Sequence, residues 1–115
     1  MKSIKKSKEQ RYILIKNKGV IKKINIEDIS HITCSGYLST IHLLNDNKNY
    51  SHCKLLKEYE VELMGKGFYR INRNTLININ YIFEINFINK PILELINKLK
   101  FRVSKRRKKE LLLII

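Results

Sequence analysis

The stretch FYRINRNTLININY, residues 68–81, decides how the rest of the chain is interpreted. Its first four residues are mostly apolar or aromatic and an apolar pair follows later, and both patterns favour short strands. Between them lies a polar segment, Asn72-Arg73-Asn74, which we call the knuckle. A segment this short and polar does not form core, and the flanking strands hold it in place. The pattern therefore predicts a turn that presents hydrogen-bonding side chains from a rigid support.

Length and charge set the broad class of the protein. A chain of 115 residues with 43% hydrophobic residues suits one domain with its own core. The formal net charge of +14, from 24 basic and 10 acidic residues, predicts a polyanionic partner. Between residues 66 and 109, twelve Lys or Arg occur with two glutamates, a net +10, so the second half carries much of the basic surface. We expect nucleic acid rather than membrane, because neither a clear basic amphipathic helix nor a lipidation signal is present.

The sequence does not group residues for catalysis or metal binding. The two cysteines form no CxxC motif, and the three histidines do not fall at metal-ligand spacing with them. No GxSxG or HExxH motif is present. We therefore predict that the protein is not an enzyme and takes no cofactor, metal or small-molecule substrate. Without a signal peptide or a transmembrane stretch, it is predicted to be cytoplasmic, with no membrane partner.

The apolar pattern predicts a mostly β fold of short antiparallel strands. Eight to ten strands are expected, with turn residues between them at short intervals. Residues 17–19 and residues 97–98 are predicted to close two hairpins. Residues 79–88 alternate loosely and predict one long strand. No βαβ rhythm, Gly-rich phosphate loop or internal repeat accompanies these strands.

Two helices and a division of the chain complete the predicted organisation. Residues 1–11 are predicted to form a basic tail, and residues 12–115 the folded domain. A short helix is predicted to begin at Leu55, and Ser104 is a candidate N-cap for a closing helix of about two turns. The apolar residues 111–115 are then expected to pack on the core or on a partner.

The residue types in two basic segments suit nucleic-acid recognition. Lys and Arg neutralise phosphates, Arg pairs with guanine, and Asn pairs with adenine. The knuckle supplies Arg and Asn on a tight turn, and a second basic run follows at Ser104-Lys105-Arg106. Taken one at a time, these residue types favour plainer interpretations. The knuckle is then an ordinary polar loop, and the second run is a solvated basic tail.

Several motifs, in the same order, resemble the signature of LytTR domains. Residues 68–78, followed by Tyr81-Ile82, resemble the family's aromatic-x-Arg, polar knuckle, two aliphatic residues and Asn, then an aromatic-Ile pair. The resemblance extends over about residues 12–112. Further segments match at the expected spacing: residues 26–32, residues 35–41, Leu55-Leu56 and Val103-Ser104-Lys105-Arg106.

The resemblance implies a DNA-binding domain of bacterial transcription regulators with an elongated fold of small β-sheets. In that family, loops rather than a recognition helix reach base edges in successive major grooves of a promoter site. A homodimer on tandem repeat sites is a further hypothesis. Asn78 and Ser104 are expected to support the contact loops, Asn78 by holding the backbone of the knuckle. Carried over by position, the expected contacts with double-stranded DNA are Gly36, Tyr37, Ser39, Thr40, Asn72, Arg73, Asn74, Lys105 and Arg106.

This chain also departs from the family pattern, and other functions stay open. Asn72, Asn74 and Lys105 stand where His, Ser and Arg are frequent, so its own base preference is expected there. The alternative function is an RNA- or ribosome-associated basic β protein, a class that usually needs exposed stacking aromatics. A protein-interaction module would account for the apolar C-terminus but not for the charge of +14.

Overall fold

The computed structural model describes residues 10–46 and 48–115. Over this part of the chain the molecule is elongated, with principal extents of 59 × 28 × 25 Å. It contains ten strands in three antiparallel sheets and two α-helices. The predicted mostly β fold, with small antiparallel sheets, a short helix and a C-terminal helix, is confirmed. The predicted basic tail, residues 1–11, lies outside the described residues except for its last two.

The elements are numbered in chain order. Two 3₁₀ turns, Ile26–Asp28 and Ile79–Tyr81, precede β3 and β8. The helices are α1, Leu56–Glu62, and α2, Lys105–Ile114. The strands are β1 Tyr12–Asn17, β2 Val20–Asn25, β3 Ile29–Ser35, β4 Leu38–Leu43, β5 Asn49–Cys53, β6 Phe68–Asn72, β7 Thr75–Asn78, β8 Ile82–Asn86, β9 Ile92–Leu95 and β10 Lys100–Arg102.

The two predicted hairpins are present, and both place a lysine in the left-handed backbone region. Asn17 pairs with Val20, which leaves Lys18 and Gly19 as the two turn residues of the β1–β2 hairpin. Their φ angles are +48° and +81°, the combination that a two-residue turn of type I′ requires. In the β9–β10 hairpin, Lys98 has φ +73°. Both lysines occupy a conformation that residues with a Cβ adopt at some cost.

A five-stranded sheet is the centre of the molecule, in the order β5-β4-β3-β7-β6. Pairing of β3 with β7 aligns His31 with Ile77 and Thr33 with Thr75. All four residues of β7 are buried because other elements cover both faces of the sheet. The sheet therefore joins two parts of the chain that are more than 40 residues apart in sequence.

Two hydrophobic cores lie on the opposite faces of this sheet. Successive residues of a strand point to opposite faces, so Leu76 packs in the first core and Ile77 in the second. The first core takes most of its residues from the β1–β2 hairpin, β3, β4 and α1. The second core takes its residues from β6, β9, α2 and the segments beside them, and its buried members are Tyr69, Ile71, Ile77, Leu93, Leu95, Val103 and Leu111.

The long strand predicted over residues 79–88 is wrong. Asn78 accepts a hydrogen bond from the backbone N–H of Asn80, and the chain makes a 3₁₀ turn before β8 begins. Asparagine side chains compete with strand hydrogen bonding in this way, and the apolar alternation does not reveal it. The register of β8 with β9 also shifts between Ile82 and Glu84. Phe83, which lies at this irregularity, is 66% exposed.

The two helices begin within one residue of their predicted starts. Leu55 is the N-cap of α1, and the buried side chains of that helix and its C-terminal end include Leu56, Tyr59 and Leu63. Ser104 caps α2 as predicted, because its side-chain oxygen accepts from the backbone N–H of Arg107 at 3.3 Å. Helix α2 runs to residue 114, and of the apolar residues 111–115 only the first is buried.

Candidate nucleic-acid interface

Two turns and the start of a helix meet at one end of the central sheet. β3 and β4 are joined by a turn at Gly36 and Tyr37, and β6 and β7 are joined by the knuckle. The backbone N–H of Cys34 donates to the carbonyl of Asn74 at 3.0 Å, which holds the two turns side by side. The N–H of Ser104 donates to the carbonyl of residue 71 at 2.9 Å, which brings α2 to the same end. We call this end of the molecule the basic end.

Asn72 fixes the knuckle from inside. Its side-chain oxygen accepts from the backbone N–H of Asn74 at 2.9 Å, and its amide donates to the carbonyl of Arg102 at 2.6 Å. Both ends of the Asn72 side chain are therefore used within the protein, and the residue is half-buried. The amide keeps one further N–H donor and the oxygen one further lone pair for an outside partner. Arg73 and Asn74 lie exposed at the tip of the turn.

Arg70 lies behind the knuckle and supports it. Its Nη2 donates to the carbonyl of Arg73 at 2.6 Å, and its Nη1 donates to Oε1 of Glu60 at 3.3 Å. Glu60 belongs to α1 and also pairs with Nη1 of Arg107, at 3.5 Å from Oε2. One carboxylate of α1 therefore connects the knuckle with the first turn of α2.

The first turn of α2 is fixed by a tyrosine as well as by its cap. The hydroxyl of Tyr69 donates to the carbonyl of Arg107 at 3.1 Å. Burial, with the nearby carboxylate of Glu110, raises the pKa of Tyr69, so this hydroxyl keeps its proton as a donor. Lys105 and Arg106 are exposed on the same turn of the helix.

An open groove runs between the knuckle and α2, and arginines dominate its walls. Five of the six arginines in the chain line it. The guanidinium group is a planar fork of donors that fits phosphate and guanine, and lysine does not reproduce it. Clustering of this residue type at one place is typical of a site that binds a polyanion. The lining residues are Arg70, Asn72, Arg73, Asn74, Thr75, Arg102, Ser104, Arg106 and Arg107.

The predicted contacts of the β3–β4 turn divide into exposed and enclosed residues. Gly36 has φ +61°, open space surrounds it, and Tyr37 is 81% exposed. Ser39 is fully buried and its hydroxyl donates to the carbonyl of Lys54, so this structure does not present it at the surface, and its DNA contact stays a prediction. The reason is strand alternation, because Ser39 points into the protein. Thr40 is half-buried and its hydroxyl lies 3.0 Å from that of residue 51.

The predicted role of Asn78 also needs correction. Its side chain donates to the carbonyl of Ile29 at 3.0 Å and accepts from Asn80. It is buried and bonds β3 and the following 3₁₀ turn, not the knuckle. Asn72 and Arg70 hold the knuckle instead. Ser104, by contrast, supports the start of α2 as expected.

Four residues of the basic end were not predicted from the sequence, namely Glu60, Arg70, Arg102 and Arg107. Arg70 stands in the quoted stretch, and its position after two aromatic residues was an available signal. Arg102 and Arg107 belong to segments that join the groove only through tertiary hydrogen bonds. Glu60 lies on α1, for which the sequence predicted a short helix but no role at this site.

A stacked pair of histidines lies within the central sheet. His31 and His42 stack with ring centroids 4.2 Å apart. His31 is buried beside Phe101, and burial together with His42 lowers its pKa to about 3. Burial also lowers the pKa of His42. Over residues 10–46 and 48–115, no group of three or more His, Cys, Asp or Glu could hold a metal ion.

Comparisons with known proteins identify the family and a similar fold. The family model of the LytTr DNA-binding domain matches residues 19–115 of this chain. Among solved structures, the fold is similar to the LytTr DNA-binding domain of a protein described as a methyl-accepting/DNA response regulator from Bacillus cereus. That match has a TM-score of 0.72 at 16% identity and covers 89% of this chain and 94% of the other. No curated protein matched. In the described part of the chain, no helix is long and apolar enough to cross a membrane.

Proposed function

The chain belongs to the family of LytTr DNA-binding domains, and on that premise we propose how it acts. It binds DNA in transcription regulation. We propose that this binding is specific for a double-stranded sequence in a bacterial promoter. The knuckle and the first turn of α2 reach base edges in the major groove, without a recognition helix lying along that groove. A cytoplasmic location and the absence of catalysis remain predictions from the sequence.

One observation carries the proposal: the basic end gathers elements from three distant segments of the chain. The β3–β4 turn, the knuckle and the start of α2 are hydrogen-bonded to one another through Cys34, Asn74 and Ser104. Five arginines line the groove between the last two of these elements. An ordinary polar loop and a solvated basic tail, the plainer interpretations, would need no such mutual support.

The contacts divide between phosphates and bases. Exposed Lys and Arg anchor the phosphates and supply affinity without reading sequence. We assign base reading to Arg73 and Asn74 at the tip of the knuckle and to Arg106 on α2, because these three side chains are exposed at the groove. Arg suits guanine and Asn suits adenine in the major groove. Asn72, although it departs from the family pattern, is assigned to positioning because of its two internal hydrogen bonds.

Selection from a random duplex library tests this function. We expect a recurring motif, and a direct repeat of it would support the homodimer on tandem sites. The selected duplex should then outcompete duplex and single-stranded RNA of equal length at the same salt concentration. Enrichment of no motif would refute specific recognition. Stronger competition by RNA would instead support the RNA-binding alternative, in which the exposed Tyr37 would serve for stacking.

A further inference from the structure

An acidic residue lies at the basic end, where it opposes binding to a polyanion. Glu60 is the third-last residue of α1, and its side chain is 31% exposed. Its two carboxylate oxygens go to different elements, Oε1 to Arg70 and Oε2 to Arg107. A negative charge here lowers the attraction for phosphates, so its placement calls for a compensating role.

The two arginines that Glu60 binds do not point to the same element. Arg70 also contacts the knuckle, because its Nη2 donates to the carbonyl of Arg73. Arg107 belongs to the first turn of α2, next to Arg106. The carboxylate of Glu60 thus connects the knuckle, which carries Arg73, with the first turn of α2, which carries Arg106.

We propose that Glu60 is a positioning residue for DNA recognition, which fixes the knuckle relative to α2. The negative charge of Glu60 lowers the affinity for any duplex, while the positioning raises the preference for the specific sequence. This is because base-edge contacts depend on geometry, whereas phosphate contacts depend mainly on charge. This inference rests on the proposed function of the basic end. If Glu60 only neutralised neighbouring arginines, its removal would raise affinity for every duplex equally.

Glu60→Gln tests the proposal, with Glu58→Gln as its matched control. Glu58 lies on the same helix, is exposed, and forms no ion pair with the described residues. Both variants lose one negative charge. Affinities for the library-selected duplex and for a scrambled duplex are measured by fluorescence anisotropy over a range of salt concentrations. For Glu60→Gln we expect tighter binding to the scrambled duplex and a ratio of the two affinities at least about fivefold lower.

A variant that keeps the charge separates geometry from electrostatics. Arg70→Lys retains the cation but not the fork that reaches both Glu60 and the carbonyl of Arg73. We expect the same loss of discrimination as in Glu60→Gln, without a gain in affinity for the scrambled duplex. Thermal unfolding of each variant checks that the domain still folds.

A measurement without DNA makes the two proposals separately testable. The backbone N–H of Asn74 reports on the knuckle, and we expect its hydrogen exchange to be faster in Glu60→Gln and unchanged in Glu58→Gln. Unchanged exchange in Glu60→Gln, or an unchanged affinity ratio, would overturn the positioning role. A wild-type protein that prefers no duplex would overturn specific recognition, while the exchange data would still decide whether Glu60 orders the knuckle.

Discussion

Substitution of Arg73 by alanine separates sequence reading from phosphate binding most directly. Arg73 is exposed at the tip of the knuckle and forms no ion pair with an acidic side chain among the described residues. Its guanidinium is therefore not neutralised within the protein. The backbone at this residue is held by Arg70 and by the Asn72–Asn74 hydrogen bond, neither of which involves the Arg73 side chain. The alanine variant should keep the turn and lose only the exposed group.

The expected magnitude follows from the kind of contact. A bidentate contact of arginine with guanine is worth about 1–3 kcal/mol, so affinity for the selected duplex should fall about 5- to 150-fold. Affinity for a scrambled duplex should fall much less, because many other cations also contact phosphates. Lys90→Ala is the matched control: it removes one exposed positive charge outside the groove and should not change the ratio of the two affinities.

Anisotropy titrations at several salt concentrations distinguish the possible roles of Arg73. A base-reading arginine changes the affinity ratio, whereas a phosphate contact reduces the salt slope by about 1 and weakens all duplexes alike. Equal losses for the selected and scrambled duplexes would refute base reading. Arg73 would then contact a phosphate, and Asn74 and Arg106 would be left as the residues that contact base edges.

Three further predictions concern the scaffold and the knuckle. The pKa of His31 is about 3 in the folded protein and near 6.5 in the unfolded chain, so only the unfolded state gains this proton as the pH falls below 6.5. The free energy of unfolding should therefore drop by about 2 kcal/mol at pH 5 because of this residue. Urea unfolding of His31→Gln should show a smaller pH dependence than that of the wild-type protein. The hydroxyl of Tyr59 is buried without a hydrogen-bond partner among the described residues, so Tyr59→Phe should raise the free energy of unfolding by about 1 kcal/mol, and a loss of that size in chemical denaturation would contradict the assignment. Asn72→Ala removes two hydrogen bonds and should cost about 1–3 kcal/mol of stability in the same assay; a change within error would show that the knuckle does not depend on the Asn72 side chain.

Local signals in the sequence predicted the local structure well. Gly19 and its neighbours predicted the first hairpin, and Ser104 predicted the start of the closing helix because an N-cap acts within one turn. From the family resemblance we expect the knuckle and the start of α2 to contact DNA, and this stays a prediction. The expected strand over residues 79–88 failed because a single asparagine, Asn78, redirects the backbone after it.

The interior of the basic end could not be predicted, because it depends on contacts between distant segments. Asn72 and Arg102 are 30 residues apart, and no feature of either segment predicts the hydrogen bond between them. Ser39 was placed at the interface by position along the chain, but its face of β4 is decided by pairing with β3 and β5. The role of Glu60 could not be predicted, because helical periodicity shows which residues face away from the core but not which cations contact them.

The strand β7 belongs to both hydrophobic cores, and this bears on how the domain unfolds. Leu76 and Ile77 are neighbours, yet each completes a different core. Separation of either core from the sheet would expose one face of β7 and weaken its pairing with β3, on which the other core also rests. The two cores should therefore melt together in one cooperative transition. For the same reason, a substitution beneath the β1–β2 hairpin can alter the population of molecules in which the basic end is ordered.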